Sequence, residues 1–196
     1  MSNQVLDAMK NRFTTRSFES QKVNSEDLNL ICQAGLQSPS AVNRQPWKII
    51  AVNNSDLIAE LEGSAMNKLS SDSQYEMFYK NIQKRKEAGQ AATVFYNTPC
   101  MIYIFIDPVK GTSLESAERD CGIVCENITL AAESLGYGTC INGMAKLPFD
   151  TEKEEYFRSK LQIPEGYQFG VAVLVGKTKS GKEPHPTLEN KLTIIE

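Results

Sequence analysis

The chain has 196 residues, 21 of them basic and 24 acidic, for a formal net charge of −3, and the signs alternate along it. No basic face offers itself to a phosphate backbone, so nucleic acid is not an expected partner. No stretch approaches the ~20 apolar residues of a membrane span, and Met1-Ser2-Asn3-Gln4 does not open a leader, so the expectation is one cytoplasmic domain over 1–196.

Val5, Leu6 and Met9 make a short apolar stripe, followed by Asn11-Arg12-Phe13-Thr14-Thr15-Arg16-Ser17-Phe18. Two guanidinium forks and three hydroxyls at a helix end match the geometry of a phosphate. The same arginines also read as solvated surface residues. From Asn24 or Ser25 as N-cap, Leu28, Ile31, Cys32, Gly35 and Leu36 repeat at helical spacing, and Ser38-Pro39 stops them. One face of that helix is expected in the core.

Pro39 to Trp47 then brings together two prolines, the polar Ser40, Asn43 and Gln45, and the one tryptophan. It reads as a shaped loop pinned between the preceding helix and a buried strand, Trp47 to Val52. Ser55 is placed to cap a helix bearing Leu57, Ile58 and Leu61, after which Ser64 to Ser73 turns polar. Residues 64–90 are read as a possible lid. Tyr75, Phe78, Tyr79 and Ile82 restore a helical stripe, read as packing, with Lys80, Lys84, Arg85 and Lys86 on its other side.

Pro99 to Ile106 is continuously apolar, as a central strand is. Thr112-x-x-Glu115 has the form of a capping box opening a long helix with Ala117, Cys121, Val124, Cys125, Ile128, Ala131, Ala132 and Leu135 in register. Cys121 and Cys125, one turn apart on that stripe, read as small buried hydrophobes. The five cysteines and single histidine hold no Cys-x-x-Cys pair, so neither a disulfide framework nor a metal site is expected.

Gly136 ends the helix, and Gly138 to Gly143 continues extended, with glycines that let backbone approach a flat ligand. The spacing is not a dinucleotide fingerprint, because the glycines follow a helix rather than a strand. Thr151-x-x-Glu154 reads as a second capping box, Ile163 to Gly166 as a turn, and Phe169 to Gly176 as another buried strand. The tail, 177–196, is polar through Lys177, Lys179, Lys182 and His185 and closes on Leu192-Thr193-Ile194-Ile195, an arm suited to dock on a second subunit.

The order of an Arg-rich turn, a Pro-Ser-x-x-Asn-x-Gln-Pro-Trp loop, a long helix closing on Leu-Gly-x-Gly-Thr-Cys and a final Val-rich strand resembles the nitroreductase family of FMN-dependent NAD(P)H oxidoreductases. The likeness covers nearly the whole chain and is least informative from Asn53 to Asn97. It implies an α+β fold with a central, mostly antiparallel sheet flanked by helices, in an intertwined homodimer with FMN at the interface. It further implies that Arg12, Thr14 and Arg16 hold the FMN phosphate, with a backbone contact from Phe13. Pro39, Ser40, Ala41 and Asn43 would come from the other subunit, with Gln45 either joining them or holding its own loop. Cys140, Ile141, Asn142 and Gly143 would lie along the flavin, one backbone N–H meeting N5. The family usually completes the phosphate site with a C-terminal Lys or Arg; here Lys182 is preferred to His185 for its fixed charge.

The implied activity is hydride transfer from NAD(P)H through flavin N5 to a nitroaromatic, quinone or similar planar acceptor, with ping-pong kinetics. No catalytic side chain is needed, because the cofactor carries the chemistry. Enoate reduction, reductive dehalogenation, breakdown of the flavin itself, or FMN binding without turnover are the alternatives.

Overall fold

A computed structural model describes residues 3–179 and 188–196. Its frame is a four-stranded, wholly antiparallel sheet of β1 (Trp47–Val52), β2 (Cys100–Ile106), β3 (Gly138–Asn142) and β4 (Gln168–Gly176), in spatial order β1-β2-β4-β3. The helices in chain order are α1 (Gln4–Asn11), α2 (Ser25–Leu36), α3 (Ser55–Ser71), α4 (Glu76–Glu87), α5 (Leu114–Ser134) and α6 (Glu154–Lys160).

Strand side chains alternate between faces, so a strand apolar throughout must be covered on both. In β2, Met101, Tyr103 and Phe105 enter one core with residues of α3 and α6, while Cys100, Ile102, Ile104 and Ile106 enter a second with residues of α2 and α5. Gly35 lets α2 lie close to α5 and the sheet: a Cβ there would fall 2.8 Å from Ile128 Cγ1 and 3.0 Å from Ile49 Cδ1. Ile104 pairs with Val171 but Phe105 with Phe169, leaving Gly170 as the unpaired residue of a bulge.

Several local expectations are corrected. The N-cap of α3 is Asn54, whose side chain accepts from Asp56 and Leu57, not Ser55. The polar stretch after Leu61 does not leave the helix; α3 continues to Ser71 with Ser64, Ala65 and Leu69 buried. Ser113 caps α5 in place of Thr112. Thr151 is not the cap of α6, which has no side-chain cap: its hydroxyl donates to the carbonyl of Pro148 at 2.8 Å and accepts from Lys153 N at 3.2 Å just ahead of the helix. Adjacent polar residues are nearly equivalent as caps, and the approach of the preceding chain selects among them.

Gly136 does end α5, at φ 74°, and Lys177 Nζ donates to the carbonyls of Leu135 and Gly136 while lying 3.8 Å over the Tyr137 ring. Cys121 and Cys125 are buried, and burial pushes each thiol up to about 12, which keeps both protonated at neutral pH. Leu36 lies 44% exposed rather than in the core, and the α1 stripe of Val5, Leu6 and Met9 is 51–63% exposed on this chain.

Candidate functional site

The segment after α1 runs as an extra strip along the free edge of β3. Thr15 N donates to Thr139 O at 2.7 Å, Thr14 bridges Thr139 in parallel, and Phe18 bridges Thr178. Gly138 makes this possible, since a Cβ there would strike the Thr15 side chain. The strip carries Arg16 to Cys140–Gly143, more than 120 residues away in the chain.

These groups share one cavity of about 330 Å³, closed on its other side by Phe78, Asn81, Arg85, Val94 and Tyr96. Arg16 is exposed, and among the described residues no carboxylate pairs with it. A Cβ built on Gly143 meets nothing within 4 Å, so the backbone there is open to a flat group. In β3 the side chains of Cys140 and Asn142 turn inward, Asn142 donating to Val94 O at 3.0 Å and accepting from Ala145 N at 3.0 Å. Ile141 alone of the strand is exposed, at 49%. What Cys140 to Gly143 present to a ligand is therefore mostly backbone and the Ile141 side chain. A free guanidinium, open backbone and aromatic walls suit a planar ligand bearing negative charge.

The other candidates are placed apart. Arg12 is half-buried against α5, its Nε 3.9 Å from Glu126 Oε1, and does not line the cavity. Phe13 and Thr14 are half-buried. Lys182 and His185 lie outside the described residues. Phe78, read as packing, is 48% exposed and lines the cavity instead.

The cavity wall is a strained turn, with Tyr96 at φ 53° and Asn97 at φ 57°. Three side chains hold it. Glu62 of α3 accepts from Val94 N at 2.7 Å and Phe95 N at 2.9 Å, Arg85 Nη2 donates to Thr93 O at 2.9 Å, and Asn142 takes the carbonyl of Val94. Arg85 also stacks over Tyr96 at 4.6 Å. Burial raises the Glu62 pKa above the ordinary 4.5, against the two N–H bonds and the Arg85 charge that lower it.

The loop Pro39 to Trp47 contains a 3₁₀ turn, Ala41–Asn43, with Val42 and Asn43 at φ 53° and Gln45 at φ 47°. Asn tolerates this left-handed region; for a β-branched valine it costs about 1–2 kcal/mol or more. The loop answers with its own bonds: Gln45 N donates to Ser40 Oγ at 2.9 Å, and Gln45 Nε2 to Asn43 Oδ1 at 2.9 Å. Gln45 thus holds its own loop in this chain. Helix α5 fixes the loop from behind, Asn127 donating to Ser38 Oγ at 2.8 Å and Asp120 accepting from Ala41 N. Pro39, Asn43 and Gln45 are exposed, Ser40 and Ala41 half-buried, and none lines the cavity of the same chain.

Sequence reasoning missed Glu62, Asn81, Arg85, Tyr96 and Asp120. Only Asp120 had a local signal, a charge in the register of Ala117, Cys121 and Val124 on a helix face that should be apolar.

Comparison with known proteins bears on the family and the fold. The model of the nitroreductase family matches residues 9–177. A nitroreductase with bound FMN from Desulfitobacterium hafniense superposes with a TM-score of 0.90 at 36% identity, covering 100% of both chains. A second FMN-bound nitroreductase, from Bacteroides fragilis, gives 0.84 at 23% identity over 100% of both. An NADPH-dependent oxidoreductase of Staphylococcus haemolyticus is 25% identical across 96% of this chain and 71% of its own length. With the antiparallel sheet, the Arg-bearing edge strip and the open glycine-ended strand in place, the chain belongs to the nitroreductase family.

Proposed function

We propose that the chain is an FMN-dependent oxidoreductase that carries reducing equivalents from NAD(P)H to a nitroaromatic, quinone or similar planar acceptor. The observation that carries this reading is the cavity in which Arg16, with no carboxylate partner among the described residues, faces the open backbone of Cys140–Gly143. FMN bound there would supply the two-electron chemistry between the nicotinamide and the acceptor, in a ping-pong cycle.

The chain's own work is to bind and orient. Arg16 supplies a cationic donor for a phosphate in the cavity, and Arg12 and Thr14, which do not line it in this chain, would add theirs from the start of the same strip, with Lys182 or His185 as the C-terminal contribution. The backbone from Cys140 to Gly143 lies along the ring and offers an N–H at its reactive edge. Pro39, Ser40, Ala41 and Asn43 cover the ring from a second subunit. The exposed apolar residues of α1, together with Leu192, Ile194 and Ile195 at 73–93% exposure, support a homodimer in which the C-terminal arm docks on the partner. Helix α4, through Phe78, Asn81 and Arg85, borders the cavity and limits acceptor size as a lid would.

The test begins with the absorbance spectrum of the purified protein. A yellow protein whose flavin bleaches anaerobically with NADH or NADPH and reoxidises on adding a nitrofuran or quinone is expected. A colourless protein that takes up no FMN overturns the reading. A flavin that no nicotinamide bleaches favours binding without turnover, and a bleached flavin that neither acceptor reoxidises favours one of the other flavin reactions. Asn43→Ala should weaken FMN retention with the dimer intact, as dialysis and gel filtration would report.

A further inference from the structure

Asp120 is a carboxylate in the wrong place for a core helix. It is 6% exposed, sits in the apolar register of α5, and both its oxygens lie on one amide, Ala41 N, at 3.3 and 3.2 Å. A buried charge is costly unless something binds it, and among the described residues this single amide is its hydrogen-bond partner. An apolar residue would pack α5 more cheaply, so the charge is retained for what it holds.

What it holds is the start of the 3₁₀ turn, Ala41–Asn43, in which Val42 and Asn43 are left-handed, with Gln45 left-handed just beyond it. The partial positive charge of a half-buried turn amide meets the Asp120 carboxylate there. The second tie, Asn127 to Ser38 Oγ, comes seven residues later on α5, two helical turns along, so both anchors stand on one face of one rigid helix. The outer side of the loop is left exposed, Val42 at 84%. A strained segment fixed only from behind presents its front in a set shape.

We infer that Asp120 is a positioning residue for cofactor binding, holding Ala41 so that Asn43 and its neighbours meet the flavin in the geometry that retains it. This rests on the reading of the loop as part of an FMN site. Asp120 touches no ligand itself; it acts through the Ala41 amide.

The experiment measures FMN dissociation constants by flavin fluorescence for the wild-type dimer, Asp120→Ala, Asp120→Asn and Asn43→Ala, alone and combined, alongside melting of the apoprotein. Asp120→Ala should raise the FMN dissociation constant about tenfold or more while the apo dimer melts within a few degrees of wild type. Asp120→Asn, which keeps an acceptor oxygen but loses the charge, should fall between and serves if the alanine variant does not fold. Because both residues act through one loop, the double variant should lose less than the product of the two single losses. FMN affinity within twofold of wild type in both Asp120 variants overturns the inference, as do losses that multiply fully in the double variant. A wild-type protein that binds no FMN overturns the functional reading itself and is seen separately, in the first measurement.

Discussion

Two irregular segments, the cavity wall at 93–97 and the loop at 39–46, are each held by a carboxylate from a helix behind them, and they are held differently. Glu62 gives one oxygen to each of two consecutive amides, at 2.7 and 2.9 Å, and the residues between, Val94 and Phe95, are buried. Asp120 spreads two oxygens over one amide at longer range, and the residues beyond it face outward. Both segments contain non-glycine residues at positive φ. The turn at 93–97 is a fixed wall, in which the strained Tyr96 and Asn97 follow directly on the buried, doubly tied Val94 and Phe95. The loop at 39–46 is a presented surface whose strain is balanced by a few polar ties and its own internal bonds.

If that contrast is right, cutting the ties should separate stability from binding. The largest effect is expected for Glu62→Ala, which leaves two amides of the wall without their acceptor and should cost about 2–4 kcal/mol in denaturant unfolding. A loss under about 1 kcal/mol would mean the wall does not depend on this carboxylate.

Next is the pH dependence. The folded-state pKa of Glu62 is raised, so the folded chain holds that proton more tightly than the unfolded one, and the associated stability is complete below 4.5 and is lost as pH rises through the folded value. Unfolding free energies of wild type and Glu62→Gln, compared from pH 4 to 7, should show the wild type losing ground to the variant as pH rises. A constant difference would show that Glu62 titrates alike in both states.

The smallest effect is expected at the other anchor. Asn127→Ala leaves the buried Ser38 hydroxyl without its donor and should cost about 1 kcal/mol of stability. Equal costs for Asn127→Ala and Glu62→Ala would erase the distinction between wall and presented loop.

The differences in legibility follow the same physics. The strands at Cys100–Ile106 and Gln168–Gly176 were readable because an apolar run betrays cover, while Trp47–Val52 is a strand as expected but not a buried one, being at the sheet edge with Lys48 and Ala51 exposed. The register of α5 was readable from Ala117 to Ala132 because helical spacing is a local property. Arg16 and Cys140–Gly143 were each readable as ligand-facing types. The caps were misread by one residue at Asn54 and Ser113 because neighbouring polar side chains compete for the same amides.

The sequence by itself determined where most of the helices and strands run, though not that α3 continues to Ser71, since periodicity, prolines and glycines act within a few residues. Only the tertiary structure decided that Arg16 shares a cavity with Gly143 while Arg12 turns to Glu126, that Phe78 and Arg85 border that cavity, and that Glu62 holds the strained wall at 93–97 and Asp120 the strained loop at 39–46. Those arrangements are bonds between a side chain and a backbone amide 32 and 79 residues away, and no spacing along the chain encodes them. They exist because packing the helices on the two faces of one sheet leaves particular carboxylates opposite particular unpaired amides.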